Sequence, residues 1–292
     1  VRFVNTLSEL RKSRESYYFL APSVIIFLVF GLSVLVANVV LSFYSWSALT
    51  EPRFIGLDNY RRLFHDAVFR KALVNTLYYC ALYVVPSLII SVLLAFVLNK
   101  KLKGMNLFRS IFYLPVITSY VIVVILWQWI YDADIGLLNS ILNKIGIASV
   151  PWLLSPKLAL PSLVLMSIWK NVGYTIVIFL AGFQQIDVAL HEAARVEGAT
   201  EWQVFRHITL PLLRPTTLFS TVMLIIWSFQ MFVQPYMMTH GGPARSTTTL
   251  VYYLYETGFQ YFDLGYASTM SVVMLIMVLP IIILQSKLLR AR

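Results

Sequence analysis

Charge is what this chain has least of. Asp, Glu, Lys and Arg together make up 12% of its 292 residues, about half the share of an ordinary soluble domain. Hydrophobic residues reach 59% and the mean hydropathy is +0.76, which excludes a soluble globular class and predicts an all-α integral membrane protein. Cysteine is nearly absent. Cys80 alone leaves no intrachain disulfide and no cysteine-based metal site. His65, His191, His207 and His240 all fall in connections between apolar runs. His191-Glu192 opens like a zinc-protease helix, but the second histidine would have to stand at position 195, which is Arg195, so a catalytic zinc site fails on ligand count. No stretch matches the phosphate-cradling G-x-x-x-x-G-K-[ST] loop, so ATP-driven work would need another chain. No catalytic residue, metal site or cofactor is expected on this one.

The apolar runs number six. They cover about Tyr17–Ser42, Ala72–Leu98, Phe108–Tyr131, Leu158–Phe183, Thr216–Met238 and Gly265–Leu284, each long enough to cross a bilayer as a helix. The first is too long for the apolar core of a cleavable signal. After the first run, Asp58 is a possible cap for a helix in which Tyr60, Leu63, Phe64, Ala67 and Val68 share one face at the membrane surface. Trp127, Trp129 and Tyr131 close the third run as an aromatic belt would. Residues 132–157, with Gly136, Gly146 and Pro151, read as a structured external loop, and Gly241-Gly242-Pro243 as a turn.

The formal charge of +10 is dispersed between these runs and does not form a nucleic-acid surface. Most of the basic residues belong to one set of alternating connections. These are the N-terminus (Arg2, Arg11, Lys12, Arg14), the second-to-third connection (Lys100, Lys101, Lys103, Arg109), a polar loop at 187–215 and the tail (Lys287, Arg290, Arg292). The bias puts both termini and that loop in the cytoplasm. Residues 1–16 are then a cytoplasmic segment and 17–292 a single transmembrane domain.

Apart from Arg109 at the edge of the third run, Lys170 is the one charge within a run, and an unpaired ammonium there costs about 2.5 kcal/mol or more. Two readings stand side by side. Either Lys170, Asn171 and Tyr174 line a path and donate to a polar solute, or Lys170 is held structurally by a carboxylate or a carbonyl. Gln230 and Gln234, four apart, would share a helical face and line the same path, or bond between helices. Trp127, Trp129 and Trp227 suit stacking on sugar rings as well as belt or packing roles. An ion-coupled transporter working alone is the alternative from another class, and it calls for intramembrane acids or symmetric helix breaks. The runs hold no Asp or Glu, which counts against it.

The polar loop carries the densest pattern. Asp187 is placed to cap a helix in which Leu190, Ala193, Ala194 and Glu197 share a face, and Gly198 stands where a left-handed residue ends it. Thr200 and Gln203 have capping-box spacing and restart a helix with Trp202, Phe205 and Ile208 on one side; Pro211 and Pro215 are expected to stop it.

The run Glu192-Ala193-Ala194, Gly198-Ala199, Phe205, Ile208, Leu210-Pro211 and Pro215 resembles the EAA loop of permease subunits in bacterial binding-protein-dependent ABC importers. That family usually has Asp where this chain has Glu197. Phe54-Ile55-Gly56-Leu57-Asp58-Asn59-Tyr60, Gly241-Gly242-Pro243, Thr247-Thr248-Thr249-Leu250, Tyr253 and Phe259 extend the likeness to carbohydrate-type members related to the maltose and glycerol-3-phosphate systems. The resemblance implies a type I importer permease fold of six transmembrane helices in the bacterial cytoplasmic membrane. It implies a second permease chain, two copies of a P-loop ATPase carrying ATP and Mg, and an extracytoplasmic solute-binding protein. Glu192, Ala193, Ala194, Gly198, Ala199, Trp202 and Phe205 would form the ATPase coupling surface.

Overall fold

The computed structural model describes residues 14–99 and 104–290, apart from the side chains at 14–17, 286 and 288–290. Arg2, Arg11, Lys12, Lys100, Lys101, Lys103, Arg292 and most of segment 1–16 lie outside the described residues, as do the side chains of Arg14 and Arg290. Among the described residues, four helices are long and apolar enough to cross a membrane, six if each of two bent pairs counts as one span. The chain divides into two compact units, residues 1–64 with 256–273 and residues 65–255 with 274–292.

In the first unit, α1 runs Arg14–Ile26, passes through π-helical turns at Phe27–Leu32 and continues as Ser33–Leu41. None of its residues from 18 to 41 is buried within this chain, and its apolar surface all round suits a membrane span. A two-stranded antiparallel ribbon, β1 (Tyr44–Ser45) and β2 (Arg53–Phe54), pairs Tyr44 with Phe54. It leads to α2 (Asp58–His65). Asn59 ties α2 to the end of α1, its Nδ2 donating to the Ser42 and Tyr44 carbonyls at 3.1 and 2.9 Å. Arg62 reaches Asp263 at 2.6 Å and lies over the Tyr266 ring.

The expected surface helix is shorter than its periodicity suggests. It breaks at Asp66, whose carboxylate accepts from the Val68 and Phe69 N–H groups and starts a new helix, α3 (Ala67–Leu98). Ala67 and Val68 therefore belong to the second span, which is 32 residues long and carries Pro86 internally. Asp66 also accepts from the Tyr253 hydroxyl at 2.6 Å. At the other end of α3, Arg109 Nη2 donates to the Leu98 carbonyl at 2.7 Å, a basic side chain on a helix C-terminus.

The third span is two helices, α4 (Met105–Ile117) and α5 (Tyr120–Ile130), meeting at 98°. Extended backbone at Thr118 and Ser119 makes the corner. Pro115 has no N–H to offer the Ile111 carbonyl, and the Thr118 hydroxyl bonds back to the Leu114 carbonyl, both of which weaken the last turn. The belt expectation also changes: Trp127 and Tyr131 are buried and only Trp129 faces outward. Tyr131 donates to the Ser162 carbonyl at 2.8 Å, and Trp127 meets Trp169 edge-on. In a helix that packs against protein on one side, two of three belt residues become core.

The loop at 132–157 folds around one side chain. It holds α6 (Leu137–Lys144), whose fully buried Asn139 accepts from Val150 N and Trp152 Nε1 and donates to the Ala133 and Val150 carbonyls, all at 2.9–3.0 Å. The fourth span is α7 (Ala159–Gln184), packed along α3 through Leu163, Met166, Ile176 and Phe179. After α7 come α8 (Val188–Val196) and α9 (Glu201–Val204), the latter continuing through π-helical turns to Leu212. Pro211 does not stop this run. The chain turns by 66° after Leu212 into α10 (Arg214–Phe229), with Pro215 in its first turn.

The fifth span ends earlier than its apolar pattern suggests, at Phe229. Pro235 offers no N–H to the Met231 carbonyl four residues back, and the Thr249 hydroxyl takes that acceptor instead at 2.9 Å. Thr247, Thr248 and Thr249 are fully buried ahead of α11 (Leu250–Tyr255). Asn75 and Thr76 of α3 hold this stretch: Asn75 Nδ2 donates to the Arg245 and Thr248 carbonyls, and Thr76 Oγ1 accepts from Leu250 N. The last helix, α12 (Leu264–Arg290), begins in the first unit and ends in the second.

Candidate functional site

Two places in the second unit gather the residues singled out from the sequence. The first is a cavity of about 430 Å3 among α3, the α4–α5 corner, α7 and α10. Lys170, Asn171, Tyr174, Gln230 and Gln234 all line it. The helical spacing that suggested a shared face for the two glutamines does not hold, because Gln230 follows the end of α10 and Gln234 lies beyond the gap. Gln230 stays exposed, whereas Gln234 is buried and donates to Tyr120 Oη at 2.6 Å and Ser167 Oγ at 3.1 Å.

Lys170 Nζ is also buried, donating to the Pro115 and Val116 carbonyls at 2.7 and 2.9 Å. Among the described residues no carboxylate lies within ion-pair distance of it. The Tyr120 ring centroid is 5.3 Å from the ammonium. Asn171 Nδ2 donates to Tyr83 Oη at 3.2 Å, and Tyr174 meets Trp227 edge-on with centroids 5.0 Å apart. The cavity thus offers aromatic surface from Tyr174 and Trp227, an exposed amide from Gln230, and phenolic hydroxyls. Ring contact and hydrogen bonding are the interactions such a wall offers. Tyr83, Tyr120 and Ser167 were not singled out from the sequence. Their only signal was a hydroxyl inside an apolar run, which many core residues share.

The second place is the hairpin of α8 and α9. Asp187 caps α8 by accepting from Ala189 N at 2.9 Å. Gly198 has φ of +83° and donates to the Arg195 carbonyl, while Ala199 donates to Ala194, which together form a Schellman end. Thr200 and Gln203 make the full capping box. Ala194 and Phe205 are buried, with Phe205 against Phe96 of α3 at 4.7 Å and stacked on Trp202 at 5.5 Å. Glu192, Ala193, Val196 and Trp202 are exposed, and Ala199 is half-buried. His191 meets the Thr209 hydroxyl at 3.2 Å, a cross-link between the two arms that the sequence pattern did not reveal. Beside it lies a groove of about 450 Å3 bounded by Phe96, Phe183, His191, Arg195 and Phe205. Both arms are fixed at their ends, and Phe205 anchors the hairpin on Phe96 of α3.

Comparison with known proteins gives the same outline. Residues 77–291 match the family described as binding-protein-dependent transport system inner membrane component. The probable ABC transporter permease protein YurN of Bacillus subtilis is 37% identical over 93% of this chain and 94% of its own length. The arabinooligosaccharides transport system permease protein AraP of the same organism is 35% identical, covering 95% of this chain and 89% of its own. The lactose transport system permease protein LacF of Rhizobium radiobacter is 35% identical over 94% and 96%. Among solved structures, a chain of a bacterial alginate ABC transporter, crystallised in complex with an alginate pentasaccharide-bound periplasmic protein, superposes with a TM-score of 0.84. It is 26% identical and covers 95% of this chain and 94% of that one. The chain belongs to the family of inner membrane components of binding-protein-dependent transport systems, the multi-pass permease subunits of ABC importers with the type I fold.

Proposed function

We propose that this permease forms half of the translocation path for a sugar, an oligosaccharide or a related polyol or glycerophosphodiester, and that it couples to a separate ATPase through residues 187–215. The observation that carries the reading is the cavity between the spans, with Tyr174 and Trp227 as aromatic surface and Gln230 as a free amide. The names of AraP and LacF and the alginate-bound neighbour support a carbohydrate solute. A docked binding protein delivers the solute on the side opposite the hairpin, and a second permease, a different chain, completes the path.

Two copies of a P-loop ATPase, with ATP and Mg, sit on the cytoplasmic side. Glu192, Ala193, Gly198 and Trp202 face them. Closure of the ATPase pair rocks the permeases from inward-facing to outward-facing, and hydrolysis resets them. Both termini lie in the cytoplasm, and this chain breaks no bond.

The test is to tag the chain, purify it from its native membrane in mild detergent, and count the chains that accompany it. The co-purified or co-encoded binding protein is then screened against arabinotriose, lactose and an alginate trisaccharide. Two ATPase copies, a second permease and uptake of at least one saccharide in ATP-loaded liposomes is the expected result. A chain that purifies alone and moves solute under an ion gradient without ATP overturns the reading.

A further inference from the structure

The corner in the third span leaves carbonyls at the end of α4 without helical donors. Inside a membrane protein such carbonyls are costly unless a donor reaches them. Thr118 N takes up the Pro115 carbonyl at 3.3 Å, and the remaining demand at Pro115 and Val116 is met from another helix, by Lys170 Nζ. The charge has the right sign for that place, because the C-terminal end of a helix carries partial negative charge. Lys170 itself lies in the fourth span with no carboxylate in ion-pair distance among the described residues. The helix end of α4 is what makes its burial tolerable.

A second contact fixes the same turn. Gly173 lies one turn along α7 from Lys170, and a Cβ built on it would come within 3.0 Å of the Phe112 carbonyl group. Lys170 and Gly173 on one face of α7 therefore meet Phe112, Pro115 and Val116 on one face of α4. Immediately after the corner comes Tyr120, which lines the cavity, accepts from Gln234 and stands over the ammonium.

We propose that Lys170 is a positioning residue that staples the corner of the third span and so sets Tyr120 and Val116 in the wall of the solute cavity. It acts on the solute through that wall. The inference rests on the cavity being part of the solute path.

The test uses the complete transporter in lipid nanodiscs and liposomes, carrying Cys80→Ser and a spin label on Ser119→Cys at the exposed corner. Lys170→Met is compared with Lys170→Arg, which keeps donors and charge. In Lys170→Met the label becomes mobile, and the half-saturation concentration for uptake of the saccharide that the wild type transports rises roughly tenfold, with a smaller change in maximal rate, as for lost ground-state positioning. Lys170→Arg restores an immobilised label and most of the affinity.

An immobile label with wild-type half-saturation in Lys170→Met overturns the staple. So does an equal fall in assembly, melting temperature and uptake in the Met and Arg variants, which marks a purely structural charge. Trp227→Ala separates the two readings, since Trp227 lines the cavity away from the corner. Wild-type uptake in Trp227→Ala removes the path reading, while label mobility at residue 119 still reports on the staple.

Discussion

Gly173 and Phe112 touch backbone to backbone: no side chain fits between α7 and the carbonyl of Phe112, where an added Cβ would lie under 3.0 Å away. Small residues at such crossings let membrane helices approach closely. Gly173→Val should force the two helices apart, at about 1–3 kcal/mol or more for overpacking. The expected outcome is a lower melting temperature of the detergent-solubilised complex, with Gly173→Ala intermediate. Exposed Val177, changed to Ala, is the control, and a wild-type melting temperature in Gly173→Val would contradict the contact.

Asn139 is the hub of the loop at 132–157. Asn139→Ala removes its side-chain bonds and strands Val150 N and Trp152 Nε1 inside the loop. Each buried donor left unpaired costs about 1–3 kcal/mol. The loop should become open to proteases between residues 133 and 150 while the spans stay intact, as read by limited proteolysis and mass spectrometry. Asn139→Asp keeps the acceptors and loses the donors, so cleavage should be intermediate.

Much of this was legible in the chain, for physical reasons that differ by element. Asp187, Gly198, Thr200 and Gln203 are read correctly because caps are local: each residue acts on backbone within five positions. The long apolar runs are legible because composition alone decides whether a helix tolerates lipid. Asp66 was overlooked because the apolar spacing of Tyr60 to Val68 continues across it, so periodicity outweighed a cap. The corner at Thr118–Ser119 and the gap after Phe229 were hidden for a related reason. Hydropathy does not record which carbonyls a helix end or a proline leaves free, and the groups that bond to them, Lys170 and Thr249, come from distant parts of the chain. The five cavity residues were found from polarity, but the partners that orient them, Tyr83, Tyr120 and Ser167, look like ordinary core.

Asp132 predicts a pH response in the same loop. The N–H groups of Ile135 and Asp134 donate to its carboxylate, which holds its pKa below the ordinary 3.8. Because the folded value is depressed, the turn is fully stabilised above 3.8 and loses that support only as pH falls through the lower folded value. The carboxyl of 13C-labelled Asp132, followed by NMR in nanodiscs, should titrate with a midpoint under 3.8. Asp132→Asn keeps an acceptor and should hold the turn without pH dependence. A midpoint at or above 3.8 would remove the two backbone bonds from the account.

The hairpin supplies the sharpest functional test. Gly198 sits at φ of +83° with nothing within 4 Å of where a Cβ would go, so conformation and not space restricts the position. Alanine can reach that conformation at a cost of about 1–2 kcal/mol, whereas proline is fixed near −65° and cannot. Proline also lacks the N–H that closes the α8 end on Arg195. Uptake should therefore fall in the order wild type, Gly198→Ala, Gly198→Pro, with the proline variant near zero and membrane levels unchanged. Glu192 is exposed on the outer face of α8 and makes no bond that holds the hairpin together, so Glu192→Lys should leave the fold intact and act only on a partner. In vesicles containing the full transporter, both Gly198→Pro and Glu192→Lys should abolish solute-stimulated ATP hydrolysis, because the hairpin either has the wrong shape or presents the wrong charge. If both variants keep wild-type uptake and stimulation, residues 187–215 do not transmit force, and any coupling runs through another segment.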